Sequence, residues 1–185
     1  NNMEKECHKK NIKFITFSTN YVFNGEKYEP YDESDIPSPL QMYGLSKLSG
    51  EYASLLYDTT IIIRTSLLYG EHTSKKENFI DKRIKDTEIS NEIEIDSYQI
   101  WSSTYAEDLS KAILKLAIHP GCHSGIYNIV NSGQHSLYQL TKEIYKIMNI
   151  DMKVIPVNRE TDNIVKLFKK PMFSSLKNLK IMELG

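Results

Sequence analysis

The sequence lacks the glycine-rich loop with which nucleotide-binding α/β domains usually begin. Its eight glycines are scattered, and no two of them form a Gly-x-Gly or Gly-x-x-Gly motif. Such motifs let the backbone approach the phosphates of a dinucleotide at the start of a helix. A complete dinucleotide site of this kind is therefore excluded from these 185 residues.

Cysteine is also scarce, since Cys7 and Cys122 are the only two in the chain. Their spacing is not that of metal ligands, and we expect reduced thiols in the cytoplasm. Among the five histidines, His119 and His123 are four residues apart, but a proline and a glycine between them indicate a loop. The sequence therefore predicts no metal site.

Strong net charge and long apolar runs are absent as well. The formal net charge is -1, which gives no electrostatic case for binding nucleic acid or an anionic membrane surface. No apolar run approaches the roughly 20 residues that cross a bilayer, and the first residues do not resemble a signal peptide. With 40% hydrophobic and 25% charged residues, the composition is that of a soluble globular protein.

Apolar runs and helical patterns alternate along the chain and predict an α/β fold. Residues 12–17 and 60–65 are short, β-rich runs typical of buried strands. A proline-rich loop over residues 25–40 and a helix from Leu40 to Leu56 lie between them. This order predicts a βαβ crossover in a parallel sheet. The apolar positions of the helix have the spacing of a face turned toward a core: Leu45, Leu48, Tyr52, Leu55 and Leu56.

The remainder of the chain continues the same alternation. We expect a helix with Thr104 as its N-cap that continues through Ile118, and another over residues 136–148 with Ser136 as its N-cap. The other predicted elements are a helix over residues 78–88 and strands over residues 92–96, 125–130 and 152–157.

One pair of side chains points to acid–base chemistry. Tyr43 and Lys47 are four residues apart in the predicted helix, so they share a face. The charge of the lysine would favour the phenolate and make the tyrosine a usable proton carrier. Thr19 or Ser18, at the end of the preceding strand, could hold a carbonyl oxygen beside it. The spacing alone is weak, because Tyr138 and Lys142 repeat it and a surface tyrosine often packs along a lysine stem.

Five segments together resemble the extended short-chain dehydrogenase/reductase group, and within it the dTDP-4-dehydrorhamnose reductases and their sugar-nucleotide relatives. The second of these segments holds Tyr43 and Lys47, and the first holds Thr19. The segments occur in family order over nearly the whole chain: residues 17–25, 30–47, 63–70, 104–109 and 170–176.

The resemblance implies roles for the residues that match. Tyr43 would donate a proton to the keto oxygen of the sugar while hydride arrives from NADPH or NADH. Lys47 would tune Tyr43 and bind the nicotinamide ribose, with Ser18 also near the cofactor. Thr19 would bind the same oxygen, and with Asn20 would touch the sugar. A strand-end hydroxyl bonded to the backbone is the structural alternative for Thr19.

The chain also departs from the pattern of the resembled reductases. Asn20 stands where they often have aspartate, and Leu67 where close relatives often have tryptophan. The expected substrate loop has lost its proline, glycine and aspartate, and Trp101 within it would offer a stacking surface or simply pack. Lys170 replaces an arginine, which would keep a charge for the substrate but lose a bidentate fork.

The resemblance implies that the fold is the C-terminal part of a Rossmann-like parallel sheet plus a smaller mixed α/β substrate-binding region. Residues 1–70 would be the second half of the dinucleotide-binding domain. Residues 71–185 would mainly bind substrate, with helix 104–118 packing back on the core. The first half and a final helix would lie outside this chain, which would then be a piece of a longer reductase or a diverged remnant.

The expected ligand is a nucleotide sugar with a 4-keto-6-deoxy group, and a homodimer is compatible with the resemblance. Epimerases and dehydratases also use a Tyr/Lys pair, but dehydratases usually place acidic residues beside the catalytic hydroxyl, where this chain has Asn20. A third alternative is a non-catalytic subunit, because the regulatory β subunit of methionine adenosyltransferase resembles the same reductases.

Overall fold

A computed structural model describes residues 2–71, 77–158 and 169–185 of the chain. Among them are six α-helices: α1 (Asn2–Lys9), α2 (Met42–Ser54), α3 (Phe79–Ile89), α4 (Ala106–Ile118), α5 (Leu137–Ile147) and α6 (Leu179–Glu183). The same residues form seven strands: β1 (Phe14–Thr19), β2 (Thr60–Thr65), β3 (Leu68–Tyr69), β4 (Glu92–Asp96), β5 (Thr104–Tyr105), β6 (Gly125–Asn128) and β7 (Lys153–Val157).

The central sheet is parallel, with strand order β1-β2-β6. In the middle strand β2, all six residues are buried, as expected for an apolar strand covered on both faces. Ser18 and Thr19 of β1 lie opposite Arg64 and Thr65 of β2. Helix α2 connects these two parallel strands, so the predicted βαβ crossover is confirmed.

Two smaller parallel sheets complete the mixed α/β architecture. One pairs the short strands β3 and β5, and the other pairs β4 with β7. Helix α5 contacts both strands of the second small sheet and also packs against α3. The predicted fold class, a parallel sheet with a smaller mixed α/β region, is confirmed.

Helix α4 packs onto one face of the central sheet. Its Leu109 and Leu116 are buried against Ile61 and Ile63 of β2. A second cluster forms where β1 and β6 end, and its members are Val22, Phe23, Tyr31, Leu48, Val130 and Leu176. No helix among the described ranges has the length and apolar character needed to cross a membrane.

The predicted N-cap of helix α4 is wrong, whereas that of α5 is confirmed. Helix α4 begins at Ala106, and Thr104 lies in β5, where its hydroxyl accepts a hydrogen bond from Thr65 at 3.2 Å. The hydroxyl is thus used between strands rather than at the helix end. Ser136 does cap α5, in a reciprocal capping box with Gln139.

The predicted buried face of helix α2 is also wrong. Of the five predicted apolar positions only Leu48 is buried, while the others are between 45% and 80% exposed. Two of them, Leu55 and Leu56, lie beyond the end of the helix at Ser54. The buried residues of this helix are instead Gly44, Leu48, Glu51 and Ser54. The helix therefore packs through small and polar side chains. Gly44 allows a close approach of the backbone, and Glu51 forms an ion pair with Arg64.

Gly44 allows α2 to approach the turn that follows β1. A Cβ atom at this position would lie 2.2 Å from the carbonyl oxygen of Tyr21, a backbone atom that cannot easily move. We expect Gly44→Ala to lower the free energy of unfolding by about 1–3 kcal/mol or more, the usual cost of overpacking. Urea unfolding measures this cost.

Gly50 in the same helix provides the matched control, because a Cβ there would meet no atom within 4 Å. Gly50→Ala should stabilise the chain by up to about 1 kcal/mol through helix propensity. Equal effects of the two substitutions would contradict the close approach at Gly44.

Candidate active site

The candidate site forms where β1 and β2 end. The carboxyl ends of parallel strands meet at one edge of a sheet, which is where ligands bind in open α/β folds. Thr19 and Thr65 are the last residues of the two strands and lie opposite each other. A short 3₁₀ turn over Asn20–Val22 follows β1 directly.

The structure brings Tyr43 and Lys47 to the end of β1. Tyr43 lies in the first turn of α2 and is 50% exposed, so its ring is accessible. The ring meets that of Tyr21 edge-on, with 6.2 Å between centroids. One turn later, the Lys47 ammonium donates a hydrogen bond to the carbonyl oxygen of Phe17 at 3.3 Å. Both side chains therefore flank the last residues of this strand.

Thr19 lies beside this pair with its hydroxyl bonded locally. The hydroxyl donates to Oδ1 of Asn20 at 3.2 Å and accepts the backbone N–H of Tyr21 at 3.3 Å, as the N-cap of the 3₁₀ turn. The structural alternative for Thr19, a strand-end hydroxyl satisfied by the backbone, is thus present in this structure.

Asn20 is held by residues 173–176, which we call the C-terminal segment. Its side-chain amide donates to the carbonyl oxygen of Ser174 at 3.1 Å and to the hydroxyl of Ser174 at 2.9 Å. Asn20 is also 4% exposed, so protein surrounds it on all sides. Only a side chain with N–H groups can make both of these bonds, and aspartate cannot.

The structure places Trp101 in the interior and Lys170 at the surface. Trp101 is 6% exposed, and its backbone forms a bridge with His135, so protein encloses the ring. The indole N–H has no hydrogen-bond partner among the described residues. Lys170 is exposed, and the next residue, Pro171, packs against Gly25.

A buried ionic network lies beneath the site, and the sequence interpretation missed it. Glu51 of α2 accepts two hydrogen bonds from Arg64, from Nε at 2.9 Å and from Nη2 at 2.6 Å. It accepts a third from the hydroxyl of Ser18. Each side chain of the ion pair is 1% exposed. An arginine inside an apolar strand is the available signal, because a buried charge requires a partner.

Tyr21 was missed as well. Burial, together with the nearby Tyr43 and Asp96, raises the pKa of Tyr21 from 10.0 to about 12. Its phenol therefore stays neutral well into the alkaline range. Only its position two residues after Thr19 in the sequence could have singled it out.

The described residues contain no group of three or more metal-ligating side chains that could hold an ion. The side chains around the end of β1 that could take part in chemistry are those of Tyr43, Lys47 and Thr19.

Comparison with known proteins places this arrangement in a family. The sequence matches the RmlD substrate binding domain over residues 1–185. This chain belongs to that family. Its sequence is 36% identical over 173 residues to the spore coat polysaccharide biosynthesis protein SpsK of Bacillus subtilis, covering 93% of this chain and 58% of SpsK.

Reductases are among the relatives of this RmlD-family chain. The dTDP-4-keto-6-deoxy-D-glucose reductase of Streptomyces niveus is 31% identical over 158 residues, covering 83% of this chain and 53% of the enzyme. The crystal structure of dTDP-4-dehydrorhamnose reductase from Bacillus anthracis in complex with NADP superposes with a TM-score of 0.88 at 31% identity. That match covers all of this chain and 63% of the enzyme, so the chain spans little more than half the length of these relatives.

The bonds between Asn20 and Ser174 generate a stability prediction. In Asn20→Asp, a carboxylate would face the carbonyl oxygen of Ser174 and both donated bonds would be lost. We expect the free energy of unfolding to fall by about 1–3 kcal/mol or more, as for other unsatisfied buried polar groups. Urea unfolding of Asn20→Asp beside Asn91→Asp, at an exposed position, measures the effect. Equal midpoints would contradict a structural role for the Asn20 amide.

The raised pKa of Tyr21 generates a prediction for alkaline solution. Because the folded state holds this proton more tightly, stability from Tyr21 is complete below pH 10 and is lost as pH rises toward about 12. The shift corresponds to roughly 3 kcal/mol.

The measurement is the free energy of unfolding of the wild type and Tyr21→Phe between these pH values. The advantage of the wild type over the variant should shrink as pH rises. Tyr28→Phe, at an exposed position, should show no such trend. A difference between wild type and Tyr21→Phe that is independent of pH would refute the raised pKa.

Proposed function

We propose that this chain is the C-terminal portion of an NAD(P)H-dependent reductase of 4-keto-6-deoxy sugar nucleotides. The observation that carries the proposal is the placement of Tyr43 and Lys47 beside the end of β1, next to Thr19. The reductases among its relatives support the reaction, and this chain spans 53% and 63% of the length of two of them.

In this proposal Tyr43 is the proton donor. Its half-exposed ring leaves the hydroxyl accessible to a substrate carbonyl oxygen. The Lys47 ammonium, one helical turn away, favours the phenolate that remains after the proton has left. Edge-on packing against Tyr21 limits the orientations of the ring, and a fixed donor lowers the entropic cost of proton transfer.

The residues near β1 fit the nicotinamide end of a cofactor, which would supply the hydride when bound. Tyr43 and Lys47 are available to bind its ribose, because Tyr43 is half-exposed and the Lys47 ammonium lies at the strand edge. Ser18, the third proposed cofactor residue, is buried and already donates to Glu51. The cofactor phosphates require a glycine-rich loop that the sequence does not contain. Both NADPH and NADH remain within the proposal.

For the nucleotide-sugar substrate, we propose that Thr19 binds the keto oxygen and that Lys170 supplies a positive charge. Asn20 and Trp101 are the other substrate-binding residues in the proposal, and both are buried in this structure. A reducing, cytoplasmic location is supported by the two free cysteines. Exposed Leu45 and Tyr52 on α2, and Leu56 just after it, support the proposal of a homodimer.

Turnover of the complete polypeptide tests the role of Tyr43. With a 4-keto-6-deoxy sugar nucleotide and NADPH or NADH, we expect Tyr43→Phe to lower kcat by about 10²-fold or more, the usual contribution of a general acid. The matched control is Tyr138→Phe, since Tyr138 and Lys142 have the same spacing but lie in α5 and form a cation–π contact. That variant should keep full activity.

Three outcomes would contradict the proposal. Full activity of Tyr43→Phe would remove Tyr43 from the chemistry. An absence of turnover on any keto sugar nucleotide, together with tight binding to a protein partner, would favour the non-catalytic subunit. Turnover that inverts or dehydrates the sugar without net reduction would favour the epimerase or dehydratase alternative.

A further inference from the structure

The network of Ser18, Glu51 and Arg64 joins three elements at a single carboxylate. Ser18 and Arg64 are register neighbours on adjacent strands, and their side chains reach the same face of the sheet. Glu51 approaches that face from α2 and accepts hydrogen bonds from both. One side chain of the helix is therefore tied to both strands, one residue before Thr19 and Thr65 end them.

Glu51 belongs to the same stripe of α2 as the proposed catalytic pair. Tyr43, Lys47 and Glu51 follow one another at intervals of four residues, so they lie along one face of the helix. Any rotation or sliding of α2 that moved Glu51 would also move Tyr43 and Lys47. The hydrogen bonds of the Glu51 carboxylate therefore also constrain the positions of Tyr43 and Lys47.

Apolar packing does little to fix that orientation. Leu48 is the only large apolar side chain of α2 that is buried, and the other apolar residues of the helix face outward. An amphipathic helix normally takes its rotation about its own axis from an apolar stripe. Here the directional contacts include those of Glu51, the bond from Lys47 to Phe17 and the bond from buried Ser54 to Glu4, together with the close approach at Gly44.

Arg64 extends the network to the segment that follows Thr19. Its guanidinium lies over the ring of Phe23 at 5.0 Å, and that ring stacks on Tyr31 with 4.1 Å between centroids. Arg64 of β2 therefore contacts both helix α2, through Glu51, and the segment after β1, through Phe23.

We infer that Glu51 and Arg64 are positioning residues that fix the placement of Tyr43 and Lys47 relative to Thr19. This role rests on the proposed reductase function for its effect on turnover. It does not require that either residue touch substrate or cofactor, and both are buried below the site.

The kinetic test compares two variants of the complete polypeptide. Glu51→Gln keeps the shape of the side chain but removes its charge. The double variant Glu51→Leu/Arg64→Met replaces the whole pair by apolar side chains, a change that proteins often tolerate without loss of stability. We expect both to lower kcat by roughly 10²-fold, the effect of a misplacement of about 1 Å, with little change in KM. Glu143→Gln, in an exposed ion pair with Lys146, should leave kcat unchanged.

A spectroscopic test needs no turnover. With 3-fluorotyrosine at position 43, Glu51→Gln and the double variant should shift or broaden the ¹⁹F resonance, whereas Glu143→Gln should not. A folded double variant with wild-type kcat and an unchanged resonance would overturn the inference. If Tyr43→Phe were fully active, the proposed function would fail, and the ¹⁹F comparison would still decide whether Glu51 and Arg64 position Tyr43.

Discussion

The contact between Glu51 and Arg64 is the interaction on which the arrangement of the candidate site depends. A buried ion pair gains little over apolar packing, but losing one partner leaves an uncompensated charge and costs about 3–5 kcal/mol. Here the pair is 1% exposed and Glu51 accepts a further bond from Ser18, while Nη1 of Arg64 has no hydrogen-bond partner among the described residues. Because α2 buries few apolar side chains, this contact supplies the directional restraint that a hydrophobic stripe supplies elsewhere.

The candidate site is enclosed from the other side by the C-terminal segment. Ser174 accepts both bonds of the Asn20 amide, and the same segment bridges to Tyr31 and Ile100 through Leu176 and Phe173. Two elements therefore hold the turn after β1. Helix α2 does so through the close approach of Gly44 to Tyr21, and the C-terminal segment does so through Ser174. Such double restraint suits a site in which a tyrosine must meet a carbonyl oxygen in one geometry.

The sequence predicted those parts of the fold that local patterns determine. The strand boundaries at residues 60–65 and 92–96 agree with the structure, and Ser136 caps its helix. Thr104 was misassigned because its hydroxyl bonds across to Thr65, a contact that is distant in sequence. The buried face of α2 was misassigned for a related reason. Apolar spacing implied burial, but a glutamate with a distant arginine partner occupies the inner face. Arg64 within an apolar strand signals a buried charge, but no local pattern identifies Glu51 as its partner.

Hydrogen exchange under native conditions tests most directly whether Glu51 holds the helix and the strands together. In Glu51→Gln, amides of α2 and β1 should exchange faster together, while those of α5, which lies outside the network, should keep their wild-type rates. Unchanged protection of α2 and β1, or faster exchange in α2 alone, would contradict the account.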